Sequence, residues 1–460
     1  VKKSFFILSI LVISWSAGNS QPWVKADNLR MKYLLLSRYD SALYYAGEAA
    51  AIMRGNIGEN NLQYADMLYN LVVPQFYLGN YKKARYYILK EAALRESLKS
   101  TDDARYVNCL EAASIICRKA GNYEEALTLI KKAEKKSLGI YGSASSEYAN
   151  ALVCYAGVYH DLGCPVNDMA YLRQEEEYLK RAGIIYLKNG TLAKYENIIN
   201  MADLAVYNNN TGNLPLAETL MQEAITFCKT EFGPHSEGYA SSLNNLGVLY
   251  YNSGNYKLAE KLFVDAIDIY KKSPSAGRIQ TAICINNLGA LNYDMGNYKV
   301  ADKLITDAQI IFQNDSQQSN PLFSVILNNL SSVSMTEEYY AATESKNHEK
   351  LLKCGKLLFE ADSVFSLNCQ RPHPFGKSIS TNLAIWYNFI GDKKKSTQLM
   401  TEMSYSDRIA SQLVMMMKKM SMSAFLPGFT DKKLHYTPEP DIIPIVVNLI
   451  DQITASNVDM

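Results

Sequence analysis

Apolar residues recur three and four apart along most of the chain, which is the period of an amphipathic helix. In one stretch Leu243, Leu246, Gly247 and Tyr250 form a stripe, and Tyr256, Ala259, Phe263 and Ala266 form a second. Gly254-Asn255 separates the two stripes and reads as a helix stop, because glycine accepts the left-handed conformation that ends a helix. A large residue on one helix beside a small one on the next suits antiparallel packing. Neither helix can bury its whole apolar stripe inside such a unit, so the pattern predicts units that stack.

The unit recurs. Gly-Asn-Tyr stands at 79–81, 121–123, 254–256 and 296–298, with the variant Gly212-Asn213-Leu214. Most of the intervals are 42 residues. Stepping back 42 from Gly79 reaches Ser37 to Ala42, a match without the glycine. Leu-Asn-Asn-Leu at 243–246 and 327–330, and Ile-Asn-Asn-Leu at 285–288, keep the same register independently. Thr381-Asn382-Leu383-Ala384 followed by Gly391 reads as the last clear unit. The interval from Gly163 to Gly212 is 49, a seven-residue insertion. The pattern weakens at 163–200, where Pro165 and Asp168 replace the expected Tyr and Ala. It weakens again at 336–370, where Glu337-Glu338-Tyr339 replaces the turn and the second helix is expected to be longer.

These residues resemble the tetratricopeptide repeat, whose Leu-Gly, Tyr, Gly, Tyr, Ala, Phe, Ala pattern is carried by Leu246, Gly247, Tyr250, Gly254, Tyr256, Ala259, Phe263 and Ala266. The usual repeat has about 34 residues. The longer unit, with Phe232-Gly233-Pro234-His235 before Tyr239, Ala240 and Leu243-Asn244-Asn245-Leu246, is similar to the repeats of kinesin light chains and of the arrays that precede CHAT-type caspase-like proteases. The resemblance implies an all-α solenoid, a right-handed superhelix of about nine helix pairs over residues 21–405. It also implies a binding role on the concave face, lined by the first helix of each pair. By register, Asn244, Asn286 and Asn328 would share one inward site. Val248, Ala290 and Ser332 would lie one turn on, and Tyr251, Tyr293 and Met335 two turns on. Earlier units would offer Tyr69, Phe76, Glu111, Arg118, Asn150 and His160. An Asn ladder suits binding to a peptide backbone, and Tyr adds apolar area with a hydroxyl. The structural alternative is that the Asn pairs, Asn245, Asn287 and Asn329 included, hold adjacent helices together. Aromatics such as Phe76, Tyr251 and Tyr293 can equally belong to the core.

The ends have their own character. Lys2 and Lys3, the apolar run Ser4 to Trp15, and the small residues Ser16, Ala17, Gly18 and Ser20 read as a signal peptide over residues 1–20, cleaved after Gly18 or Ser20. The alternative is a buried first helix. Residues 406–424, with Met415, Met416, Met417, Met420 and Met422, are expected to form a capping helix. Residues 425–460 carry Pro427, Pro438, Pro440 and Pro444 and are expected to be irregular.

Composition narrows the chemistry. Forty-seven basic and 46 acidic residues leave a net charge of +1, which argues against a nucleic-acid partner and a polybasic membrane anchor. No downstream run is long and apolar enough to insert stably in a bilayer. Eight cysteines in an exported chain raise the question of disulfides, but most fall within helical patterns, where Cys serves as a small buried apolar residue. With five histidines, no CxxC, and no P-loop, GxGxxG, HExxH or GxSxG, the sequence offers neither a metal site, a cofactor, nor catalysis. His235 reads as a turn residue. Lys131-Lys132, Lys135-Lys136 and Lys271-Lys272 read as solvated helix faces. A CHAT-type protease needs a His–Cys pair on a separate domain; His435 is the sole His of the tail and no Cys follows Cys369, so no such domain is expected here. The sequence therefore predicts an exported, non-catalytic scaffold that binds a protein or peptide. Two alternatives stand beside it: the sensor part of a larger signalling or protease system, and a carbohydrate-binding groove.

Overall fold

The computed structural model describes residues 22–36, 38–163, 169–190, 194–272, 278–314, 318–340, 348–371 and 373–401. The expected signal peptide, capping helix and tail, together with Cys164, Pro165 and Asp168, lie outside these residues. The described residues form eighteen helices and no strand. They run as nine successive pairs, each with a helix A and a helix B. The pairs are α1 (Pro22–Leu35) with α2 (Tyr39–Ile57), α3 (Leu62–Tyr77) with α4 (Tyr81–Ser97), and α5 (Ala104–Lys119) with α6 (Tyr123–Tyr141). Next come α7 (Ser146–Gly163) with α8 (Met169–Asn189), α9 (Lys194–Asn210) with α10 (Leu214–Phe232), and α11 (Glu237–Asn252) with α12 (Tyr256–Lys272). The last three are α13 (Arg278–Asp294) with α14 (Tyr298–Asn314), α15 (Pro321–Tyr340) with α16 (His348–Asn368), and α17 (Pro374–Phe389) with α18 (Lys393–Thr401). The 42-residue period thus counts helix pairs, and the longer second helix expected near 336–370 is α16, 21 residues against 17 in α12 and α14.

Each boundary has a local cause. Gly-Asn-Tyr closes helix A through a left-handed glycine, φ +75° at Gly79 and +78° at Gly296. The following Asn N–H then donates to the carbonyl five residues back, as in Asn80 to Gln75 (2.9 Å) and Asn297 to Asn292 (2.8 Å), the wider of the two bonds of a Schellman end. The start of helix A carries a cap three residues before a Tyr. Asn61, Asp103, Ser145 and Ser236 accept from the N–H of Tyr64, Tyr106, Tyr148 and Tyr239, which satisfies a donor the helix itself cannot.

The core repeats with the sequence. Ala84, Ala126, Ala217, Ala259 and Ala301 hold one position of helix B and are all fully buried. One turn on or slightly more, Ile88, Ile130, Met221, Phe263 and Ile305 fill the space between the paired helices. Small residues on helix A admit them: a Cβ placed on Gly247 would lie 2.7 Å from the Phe263 ring. Cys109, Cys117, Cys228, Cys284, Cys354 and Cys369 are buried free thiols in this core, and Cys154 is half-buried and free. The B helices α4 and α6 are tied by the surface ion pairs Arg85–Glu125 and Lys132–Glu96, and Lys136 of α6 pairs with Asp102 in the connection before α5. From α5 onward each helix A touches the helix A of the next pair, so the A row is the tighter, inner row and the array curves around it.

The curvature brings distant pairs together. The turn at Gly79 between α3 and α4 lies against Asn320 and Pro321 at the start of α15, with Asn320 Nδ2 donating to the Tyr77 carbonyl (3.4 Å). Lys82 Nζ reaches the Ser366 carbonyl (2.8 Å). One pair further on, the Gln370 N–H donates to the Ala120 carbonyl (2.9 Å) and Cys369 Sγ contacts the Lys119 carbonyl (3.5 Å). Pair 2 therefore meets pair 8, and the turn of pair 3 meets the connection that leads into pair 9. The superhelix completes a turn in six pairs, and its successive turns touch.

Candidate ligand site on the inner row

The inner row carries two distinct constellations. The first is the Asn ladder of pairs 6 to 9. Asn287 Nδ2 donates to Asn244 Oδ1 (3.1 Å), Asn329 Nδ2 to Asn286 Oδ1 (3.1 Å), and Asn382 Nδ2 to Asn328 Oδ1 (2.9 Å). The second Asn of each unit thus binds the first Asn of the unit before it. Asn328 Nδ2 also donates to Ser378 Oγ (3.2 Å). Asn286 and Asn328 are buried and Asn244 is half-buried. Beside them the Tyr251 hydroxyl donates to Asp294, and Tyr293 shares a 2.8 Å bond with Thr336. Burial and the neighbouring carboxylate push the Tyr251 phenol well above its ordinary range. These amides and phenols clip one helix A to the next, the role given above as the structural alternative for the Asn pairs.

The second constellation is a cavity of about 290 Å³ in the earlier pairs. Helices α3, α5, α7, α8 and α9 line it. Phe76, Ile115, Val153, Leu179, Ile199 and Val206 supply apolar wall; Arg118, Lys119, His160, Asp161, Glu175 and Asp203 supply charge. Three residues expected from the sequence, Phe76, Arg118 and His160, meet here although 84 positions separate the first from the last. Arg118 Nη1 donates to the Gly157 carbonyl (2.9 Å) and to Asp161 (3.2 Å). The close approach needs the glycine, since a Cβ at Gly157 would sit 3.0 Å from that guanidinium nitrogen. His160 Nδ1 lies 2.9 Å from Glu175 Oε1. Burial raises the Glu175 carboxyl, and the His160 bond only partly offsets it.

Other expected residues stand elsewhere. Asn150 accepts from the Tyr186 hydroxyl (2.6 Å), and Glu111 is buried with its carboxyl pushed up to about 8 by desolvation and then by Glu147. Neither lines the cavity. Tyr69 is buried within the core of pairs 1 to 4. Glu175 and Asp203 were not expected at all. Both lie in the 49-residue interval from Gly163 to Gly212: Glu175 falls in the stretch that holds the insertion, whereas Asp203 stands 42 residues before Asn245, at the second-Asn position of the ladder.

Among the described residues no group of acidic, His or Cys side chains has the arrangement of a metal site, and no helix is long and apolar enough to cross a membrane.

Residues 197–272 and 242–314 match the family model described as tetratricopeptide repeat. The same helix pairing and inner row run along the described residues, so the fold is a tetratricopeptide-type helical repeat. Solved structures similar to it include BtubC (BKLC) from P. vanneervenii, 19% identical, covering 52% of this chain and 91% of that chain with a TM-score of 0.40. They also include the nearly identical repeats of a putative kinesin light chain from Podosopora anserina, at 14%, 49%, 97% and 0.34 on the same measures. A third is a Rap protein complexed with Competence and Sporulation Factor, at 15%, 86%, 100% and 0.48. No curated protein sequence matches the chain.

Proposed function

We propose that the protein is an exported, non-catalytic scaffold that binds a peptide, or an extended segment of a protein, on its inner row. The observation that carries this reading is the cavity at pairs 2 to 5. It is of a size to take a few side chains, it combines apolar wall with charged groups, and it lies on the face toward which the array curves. A site of that composition is what a ligand pocket needs: apolar area for affinity and a few fixed polar groups for orientation. The Asn ladder supports the reading less directly, because its amide oxygens are engaged between repeats and hold the inner face in shape.

A pool of random decapeptides passed over the immobilised protein, with bound peptides identified by mass spectrometry, tests the reading. Val206 lines the cavity and is part exposed, so Val206→Trp fills it and is expected to abolish capture. Val264→Trp, at an exposed position of α12, is expected to leave capture unchanged. Equal capture by both variants would refute the site. Export rests on residues 1–20 and is tested by sequencing the N-terminus of the exported protein, expected at Asn19 or Gln21. An intact N-terminus in the cytosolic fraction would refute it.

A further inference from the structure

The cavity lining includes a buried acceptor that has no hydrogen-bond partner among the described residues. Glu175 is 2% exposed; its Oε1 takes the bond from His160, and its Oε2 is buried without a partner. A buried carboxylate oxygen with no donor is costly. The neighbouring cations do not relieve it. Arg118 is occupied by the Gly157 carbonyl and Asp161, and Lys119 acts on Cys369 and His373 across the contact between superhelical turns. Other buried polar atoms nearby also lack partners among the described residues. Asn200, one turn before Asp203 on α9, is fully buried with both amide atoms unpartnered. Glu111 and Glu196 each bury an oxygen without a donor among the described residues, and both act on Tyr186 together with Asp203.

We propose that the cavity is an ammonium-binding pocket, in which Glu175 Oε2 receives a primary ammonium group carried by an otherwise apolar peptide segment. This rests on the peptide-binding reading above and names the ligand chemistry of the same site. An ammonium fits better than a guanidinium. With Oε1 committed to His160, Glu175 offers one oxygen and cannot accept the parallel pair of bonds that Arg prefers, whereas an ammonium is a compact donor that needs one. Asp203 is a further acidic residue of the cavity wall, beside Glu175 and the Arg118-paired Asp161. The aliphatic wall of Ile115, Val153, Leu179 and Val206 takes the carbons attached to the ammonium. Two sources share this chemistry, the N-terminus of a peptide and the side chain of a lysine.

The test uses the full chain and two kinds of probe. The first is the random decapeptide pool, prepared with free N-termini, with acetylated N-termini, and in each form without Lys. The second is phenethylammonium, followed by NMR line broadening, with the neutral isostere 2-phenylethanol as reference. Wild type is compared with Glu175→Gln, which can still accept from His160, and with Glu360→Gln at an exposed position of α16; circular dichroism confirms that each variant folds. The expected result is phenethylammonium bound at least tenfold more tightly than phenylethanol, the preference lost in Glu175→Gln and kept in Glu360→Gln. Peptide capture is expected to survive loss of Lys or of the free N-terminus, whichever is not the source, and to fail when both are removed. Capture that persists in the acetylated, Lys-free pool, or that Glu175→Gln leaves unchanged, overturns the ammonium pocket while the peptide reading stands. Failure of every peptide pool with a Glu175-dependent preference for phenethylammonium overturns the peptide reading and leaves the pocket.

Discussion

Replacing Gly79 by alanine tests the contact between superhelical turns at a single atom. Two costs arise there. The first is local: Gly79 has φ +75°, and an L-residue in the left-handed region costs about 1–2 kcal/mol. The second is long-range. The added Cβ would lie 2.6 Å from Pro321 Cδ and 2.8 Å from Asn320 Cα, and the second of these is backbone that no rotamer change can clear. Ordinary contact begins near 3.4 Å, so the turn must retreat by several tenths of an ångström. The Asn320–Tyr77 bond is already 3.4 Å long and does not survive that movement. Gly296→Ala is the matched control, because Gly296 has φ +78° and nothing within 4 Å of a Cβ. Both variants should lose the same local stability, and Gly79→Ala alone should loosen the contact of pair 2 with pair 8 and of the turn of pair 3 with the connection that leads into pair 9. The assay is hydrogen exchange at the Gln370 amide, which donates to Ala120 across the turns. A protection factor that falls at least tenfold in Gly79→Ala and not in Gly296→Ala is the expected result. Equal protection of Gln370 in the two variants would refute the argument.

Three further outcomes follow from the same structure. In a double-mutant cycle, Asn286→Ala and Asn329→Ala should show a coupling of about 0.5–1.5 kcal/mol in denaturant melts, the net worth of one buried hydrogen bond; zero coupling would mean that the ladder does not hold the repeats together. Burial, outweighing the pull of Asp161, holds the His373 imidazole down to about 4, below its unfolded value, so the stability it contributes is present above about pH 6.5 and lost as pH falls through 4. Gln370 protection should drop across that window in the wild type and more weakly in His373→Gln; an unchanged pH profile in the variant would count against His373. Glu111 has the opposite sign: its carboxyl is raised to about 8 by desolvation, so its contribution is full below about pH 4.5 and is lost as pH rises through 8. Melting temperatures should therefore fall less between pH 6 and 9 in Glu111→Gln than in the wild type, and parallel slopes would refute the assignment.

The repeating part of this fold is legible in the sequence because one unit solves one local problem. Gly-Asn-Tyr marks the ends of α3, α5, α11 and α13, where a glycine takes a positive φ, and Gly247 announces the ring of Phe263 that it admits. Glu337-Glu338-Tyr339, expected to replace the turn, lie within α15, which runs to Tyr340, and α16 is long as expected. The Asn pairs were readable as a ladder, but not their order, in which the second Asn of one unit binds the first of the unit before. Contact between turns is not legible. Gly79 and Pro321 lie far apart in sequence, and their meeting depends on curvature summed over six pairs, to which every interface adds a small rotation. The cavity was half legible. Phe76, Arg118 and His160 sit at register positions of helix A, whereas Glu175 comes from a helix B in the stretch that holds the insertion, where periodicity has no comparison to offer.

Hydrogen exchange of the full chain with and without a captured peptide tests the central claim most directly. The account predicts slowed exchange in α5, α7 and α9, whose side chains line the cavity, and loss of that protection in Val206→Trp. Protection confined to the B helices, with α5, α7 and α9 unchanged, would contradict it.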